Sequence, residues 1–269
     1  MSEQVSGTAI IGAKEAWTKR GALEVYGAPD GADALAIAEA AEARSGLVVH
    51  IARDGTRAAA MTEALHFFAP QIPVVEFPAW DCLPYDRVSP SPAVSSARMA
   101  ALAVLAGHDG KSPLIVSTSI NAATQRTPPK EIVKASRFHL EIGEVSSIED
   151  LVSYLAASGY SRASTVREAG EFAVRGGLVD MFPPGAEEPI RLDFFGDQLE
   201  TVRAFDPATQ LTTRQLRSVE LAAATEILLT DEMISRFRSS YLATLGAAGD
   251  DPVYEAVSAG RKHAGMEHW

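Results

Sequence analysis

Cysteine is nearly absent. Cys82 is the single thiol in 269 residues, so the chain can close no internal disulfide and assemble no thiolate metal site, and a reducing cytoplasm is the expected compartment. Cys82 itself reads as a partly buried apolar filler. Basic residues are scarce: 24 Lys and Arg stand against 35 Asp and Glu, a net charge of −11, which excludes broad contact with a nucleic-acid backbone. No apolar run approaches the ~18 residues of a membrane span. The opening MSEQVSGTAIIGAKEAW lacks the basic-then-apolar pattern of an export signal, so a protein neither exported nor membrane-embedded is expected. What is present is apolar, 46% of residues against 22% charged, enough over this length for two domains.

Residues 22–126 alternate short apolar runs with helical patterns: ALEVYG, an Ala-rich segment Gly31–Arg44, LVVHIA, Gly55–Phe68, VVEFPAW, a Pro-rich loop, Val94–Ala106 and PLIVSTS. Strand, helix, strand in that rhythm predicts an α/β layer with a mostly parallel sheet, in a first domain over 1–127. Thr127-Pro128-Pro129 breaks the pattern. Beyond it come FHLEIGEV, a helix over Ser147–Ser158 stopped by Gly159, and β-rich stretches in which Gly196-Asp197 marks a hairpin. These define a small α+β domain over 128–218. Residues 219–269, with a helix at Asp231–Leu245, are read as returning to complete the first domain.

Catalysis finds no support. The segment EVYGAPDGADALAIAEAAEA sits where a phosphate-binding loop is expected, and Gly27 and Gly31 are in place, but the Lys and Ser/Thr that reach phosphates and Mg²⁺ are missing. Asp30 and Asp33 stand there instead and would repel a nucleotide. The six histidines (His50, His66, His108, His139, His263, His268) show no ligand spacing, and Ser117-Thr118-Ser119 lacks a nucleophile elbow. The acidic pairs Glu187-Glu188 and Asp250-Asp251 read as solvated loops.

Side chains alternate across a strand, so Ile190, Leu192 and Phe194 share one face while Arg191, Asp193 and Phe195 share the other. In Glu171–Asp180 the same logic puts Phe172 and Val174 inward and Arg175 outward. Arginine and aromatic side chains projecting together have the composition of an interface anchor. Two other readings stand beside it: Arg191 pairs locally with Asp193 or Glu171 while Phe195 tucks under a loop, or the patch stacks single-stranded nucleic acid. Against the last, residues 161–218 hold seven Arg, no Lys and nine acidic residues.

The runs FPAWDCLPYDRVSPSPAVSSARMAAL, GEFAVRGGLVDMFPPG and PIRLDFFGDQLETVRAFDPATQ, with the terminal GMEHW, closely resemble the N-terminal region of bacterial transcription-repair coupling factors. The resemblance implies a degenerate helicase-like (P-loop-like) α/β domain, similar to the repair protein UvrB, with a small α+β UvrA-binding domain inserted into it. It implies a non-catalytic docking module that recruits UvrA to stalled RNA polymerase, with Arg175, Arg191 and Phe195 as the UvrA contacts. The damage-probing hairpin of UvrB is not expected, because the loop from Tyr85 to Pro92 is short. No cofactor is implied here, since ATP belongs to a translocase motor further along the parent protein, as do the direct contacts to polymerase and DNA. In the intact family a C-terminal domain masks the UvrA-binding face, so this stretch alone is expected to bind constitutively. The alternatives are a nucleotide- or DNA-binding remnant of a helicase domain and a structural brake on the translocase.

Overall fold

The computed structural model describes residues 21–268 apart from 23, 30, 45, 84, 85, 247 and 248. Asp30, Tyr85 and Trp269, which figure in the sequence reading, lie outside the described residues. The chain is a mixed α/β protein that groups into two compact units, one formed by the residues up to Ala79 with Gly107–Arg126, the other by Trp80–Ala106 with the residues from Thr127 onward.

In the first unit, β1 (Leu47–Ala52), β2 (Val74–Phe77) and β3 (Leu114–Ser119) form a parallel sheet in the order β1-β3-β2. Central β3 is buried along its whole length, as its run of apolar and small hydroxyl residues requires. Helices α1 (Ala32–Arg44) and α2 (Gly55–Phe68) cover one face. Ala34, Ala38 and Ala41 recur at helical spacing and let α1 approach Met61, Leu65 and Ile115 closely. Helix α2 starts where it does because the Asp54 carboxylate accepts the Arg57 N–H at 2.8 Å. Where the strand ALEVYG was expected, Ala22 and Glu24–Tyr26 pair with no neighbour among the described residues, and Val25 and Tyr26 are exposed. An apolar alternation without a ladder partner does not make a strand.

In the second unit, helix α3 (Pro92–Gly107) precedes a six-stranded sheet built from β5 (Ser161–Arg162), β6 (Glu171–Arg175), β7 (Leu178–Met181), β8 (Ile190–Phe195), β9 (Gln198–Phe205) and β10 (Thr212–Leu216). Its order is β10-β9-β8-β7-β6-β5, antiparallel except where β5 meets β6. Strands β4 (Phe138–Glu141) and β11 (Ser218–Leu221) pair separately. Short helices α4 (Ile120–Ala123, in the first unit) and α5 (Lys130–Ala135) precede β4. Helix α6 (Ile148–Ala157) is capped by the Ser147 hydroxyl, which accepts the Glu149 and Asp150 N–H groups. Its Leu151 and Leu155 pack on Phe172, Val179, Leu192, Phe194 and Leu199, so the face that alternation assigned to the core is the core.

Gly159 ends α6 with φ of +92°, and a Cβ there would stand 2.5 Å from Thr225 Cγ2. Gly159→Ala combines left-handed backbone with a clash and is expected to cost roughly 2–3 kcal/mol, read as a lower urea midpoint at unchanged slope.

The contact grouping differs from the sequence division at 1–127, 128–218 and 219–269, because α3 and the stretch from Glu220 onward group with the six-stranded sheet. The Arg98 guanidinium, wholly buried on α3, meets the Glu226 carboxylate through Nε at 2.5 Å and Nη2 at 3.0 Å. Trp80 Nε1 donates to the same carboxylate at 2.9 Å, and its ring lies 5.2 Å from the guanidinium carbon. Helices α7 (Asp231–Leu245) and α8 (Pro252–Ser258) follow; Asp251, read as solvated, caps α8 and accepts the Tyr241 hydroxyl.

Candidate functional site

Strand register places the three candidate residues. Across the six-stranded sheet Ala173 pairs with Asp180, Asp180 with Arg191 and Arg191 with Arg203. Two residues nearer the turns, Arg175 pairs with Leu178, Leu178 with Asp193 and Asp193 with Thr201. Directly opposed residues share a face, as do residues two apart on one strand, so Arg175 and Arg191 stand on the side opposite α6. Phe195 joins them two residues beyond Asp193, past a bulge between Asp193 and Phe194.

Two glycine turns bring Arg175 and Phe195 to the same end of the sheet. Gly176 (φ of 61°) opens the turn between β6 and β7, and Gly196 (φ of 60°) the turn between β8 and β9, matching the Gly-first two-residue hairpin. Gly177 has no room for a side chain, because a Cβ would lie 2.5 Å from the Phe194 carbonyl oxygen. The turn carrying Arg175 is thereby pressed against the strand carrying Phe195.

The three differ in availability. Phe195 is 76% exposed. Arg175 is exposed, steadied by Nη2 donating to the Ser164 carbonyl at 2.8 Å. Arg191 departs from the expected outward projection: its side chain is only 16% exposed, its Nε and Nη2 donate to both oxygens of buried Asp180 at 2.7 and 2.8 Å, and its guanidinium carbon stacks 4.6 Å from the Phe205 ring centroid. The physical reason is a second, smaller apolar cluster on this face, Val166, Ala173 and Phe205 with Phe182 against it, which shelters the base of the arginine. The hydrogen bonds that Arg191 donates to Asp180, ahead of the opposing effect of burial, hold its pKa above its ordinary value. Local pairing thus exists, but with Asp180 rather than Asp193 or Glu171; Asp193 instead accepts from Arg203 at 3.1 Å. Asp180 occupies the Nε–Nη2 edge, and Nη1 donates to the Gln210 carbonyl at 3.5 Å.

Alternation alone did not identify Asp180 and Phe205, the residues that fix Arg191. The available signal was a single carboxylate between apolar Val179 and Met181, directly across a Gly-Gly turn from the arginine strands. Asp180→Asn removes the counter-charge while keeping shape and is expected to lower stability by about 2 kcal/mol, measured by urea denaturation. Thr201 Oγ1, Arg203 Nε and Gln210 Oε1 are buried on or beside this face with no hydrogen-bond partner among the described residues.

The first unit offers a weaker candidate. A crevice at the carboxyl ends of the parallel strands is lined by Gly55, Glu76, Phe77, Ser117, Ser119 and Asn121. The hydroxyls of Ser117 and Ser119 are engaged, with the Ala58 carbonyl and the Ala122 N–H. Asp33, in the place of phosphate-loop chemistry, forms an ion pair with Arg57. No group of three or more His, Cys, Asp or Glu among the described residues is arranged to hold a metal ion. No helix among them is long and apolar enough to cross a membrane.

Residues 138–227, which span the whole six-stranded sheet and the β4–β11 pair, match the UvrB interaction domain family. The chain is 35% identical to the transcription-repair-coupling factor of Haemophilus influenzae over 241 residues, 89% of this chain and 21% of that protein. It is 38% identical to that of Myxococcus xanthus over 167 residues, 62% of this chain and 14% of the relative. With that of Escherichia coli it shares 34% identity over 197 residues, 73% of this chain and 17% of the relative. The chain is homologous to the transcription-repair-coupling factors. It spans about a fifth of the length of the coupling factors it matches, and Arg175, Arg191 and Phe195 all fall within its UvrB interaction domain.

Proposed function

We propose that this coupling-factor segment is a non-catalytic docking module that binds UvrA and so recruits it to RNA polymerase stalled at DNA damage. The observation that carries the reading is the single sheet face, inside a UvrB interaction domain, on which Arg175, the Asp180-held Arg191 and a 76% exposed Phe195 stand together. Phe195 fills an apolar pocket of UvrA. Arg175 and the outer end of Arg191 engage its carboxylates. The first unit is a helicase-like α/β layer related to that of UvrB, in which the Asp33–Arg57 pair stands in for nucleotide-binding chemistry. The protein works in the cytoplasm, and ATP hydrolysis and DNA translocation belong to other parts of the parent chain.

Gel filtration of the chain mixed with purified UvrA tests this reading, with calorimetry against ATP and Mg²⁺ and a DNA shift assay run beside it. Co-elution with UvrA and no heat from ATP is expected. Micromolar ATP binding or a steeply salt-dependent DNA shift, without UvrA co-elution, favours a helicase remnant instead.

A further inference from the structure

The exposed apolar surface at this end of the sheet does not stop at Phe195. Residues 143–146 run beside the first residues of β9: Gly143 N–H donates to the Leu199 carbonyl at 2.8 Å, Leu199 N–H to the Glu144 carbonyl at 3.1 Å, and Ser146 N–H to the Asp197 carbonyl at 2.8 Å. They form a short additional rung in which Val145 pairs antiparallel with Gln198, and Gln198 pairs on its other side with Phe195. Directly paired residues share a face. Val145, Gln198 and Phe195 therefore form one row, with the valine and phenylalanine about 10 Å apart, two strand spacings. Val145 is 77% exposed, the same as Phe195 within a percentage point.

A lone exposed apolar side chain needs no explanation. Two on one hydrogen-bonded row, continuous with the arginine face and inside the matched domain, point to a shared occupant. The row also carries charge at one end, where exposed Arg175 stands beyond Phe195. We propose that Val145 is a second apolar anchor of the UvrA-docking face. The complementary surface on UvrA is then an apolar groove long enough to hold both side chains across Gln198, acidic where it meets Arg175 and Arg191. This rests on the docking reading above and adds to it the second anchor and the shape of the partner's groove.

Titration of purified UvrA with the wild-type chain, Val145→Ser, Val145→Glu and Phe195→Ala tests the proposal. A carboxylate driven into an apolar groove weakens binding by at least about tenfold, and Val145→Ser by about fivefold, with melting temperatures unchanged because the side chain is 77% exposed in the free chain. If Val145→Glu lowers the melting temperature, Val145→Ser decides. Wild-type affinity in both Val145 variants, with Phe195→Ala weakened, overturns this inference and leaves the docking reading standing. No measurable binding by the wild-type chain overturns both.

Discussion

Phe195→Ala lowers affinity for UvrA by at least tenfold and leaves the melting temperature of the chain unchanged. The two halves of that result have one cause. A phenyl ring 76% exposed contributes little to the core, so its removal costs the fold almost nothing. Buried in a partner's pocket, the same ring is worth about 2 kcal/mol or more, the typical loss when a central anchor is truncated. Arg191 behaves differently because it stands on the proposed docking face and also holds buried Asp180. Arg191→Ala weakens binding and also lowers stability, since it strands the buried Asp180. Arg191→Lys keeps the charge but cannot span both Asp180 oxygens and present donors outward, so it recovers stability better than it recovers affinity. Calorimetric titration with parallel thermal melts separates the two effects.

Glu226→Ala has the largest expected effect on the fold. The Arg98–Glu226 pair has side-chain exposures of 0% and 5%, and Trp80 Nε1 donates to the same carboxylate. Removing the carboxylate takes away, inside the core, the acceptor of two guanidinium hydrogen bonds and of the Trp80 N–H, a loss of about 3–5 kcal/mol. For a unit of this size that is a fall in melting temperature of roughly 10 °C. The double variant Arg98→Met with Glu226→Leu substitutes apolar volume for both charges and recovers most of the loss, because an ion pair replaced whole forfeits no unpaired charge. A double variant as unstable as Glu226→Ala contradicts this account. Neither residue belongs to the six-stranded sheet, Arg98 lying on α3 and Glu226 beyond β11, so UvrA affinity measured below the melting transition stays near wild type.

Much of this was legible in the residues themselves. Alternation in IRLDFF separated core from surface correctly, the Gly196-Asp197 turn formed as read, and the α1, α2, α3 and α7 patterns became helices with ends shifted by at most two residues. Three features were not legible, all for long-range reasons. ALEVYG carries strand-like composition, but a strand exists only where a neighbour completes its ladder, which local pattern does not specify. Arg191 looked free because its partner Asp180 lies on another strand and its shelter, Phe205, on a third. Val145 escaped notice entirely: it sits in no named strand, and only the bridge to Gln198 aligns it with Phe195.

Amide hydrogen exchange of the chain, alone and saturated with UvrA, tests the central claim most directly. Docking on the proposed face slows exchange in the Gly176-Gly177 and Gly196-Asp197 turns and in residues 143–146, while β1 and α2 of the first unit exchange as before. Protection confined to the first unit, with those turns unchanged in the complex, contradicts it.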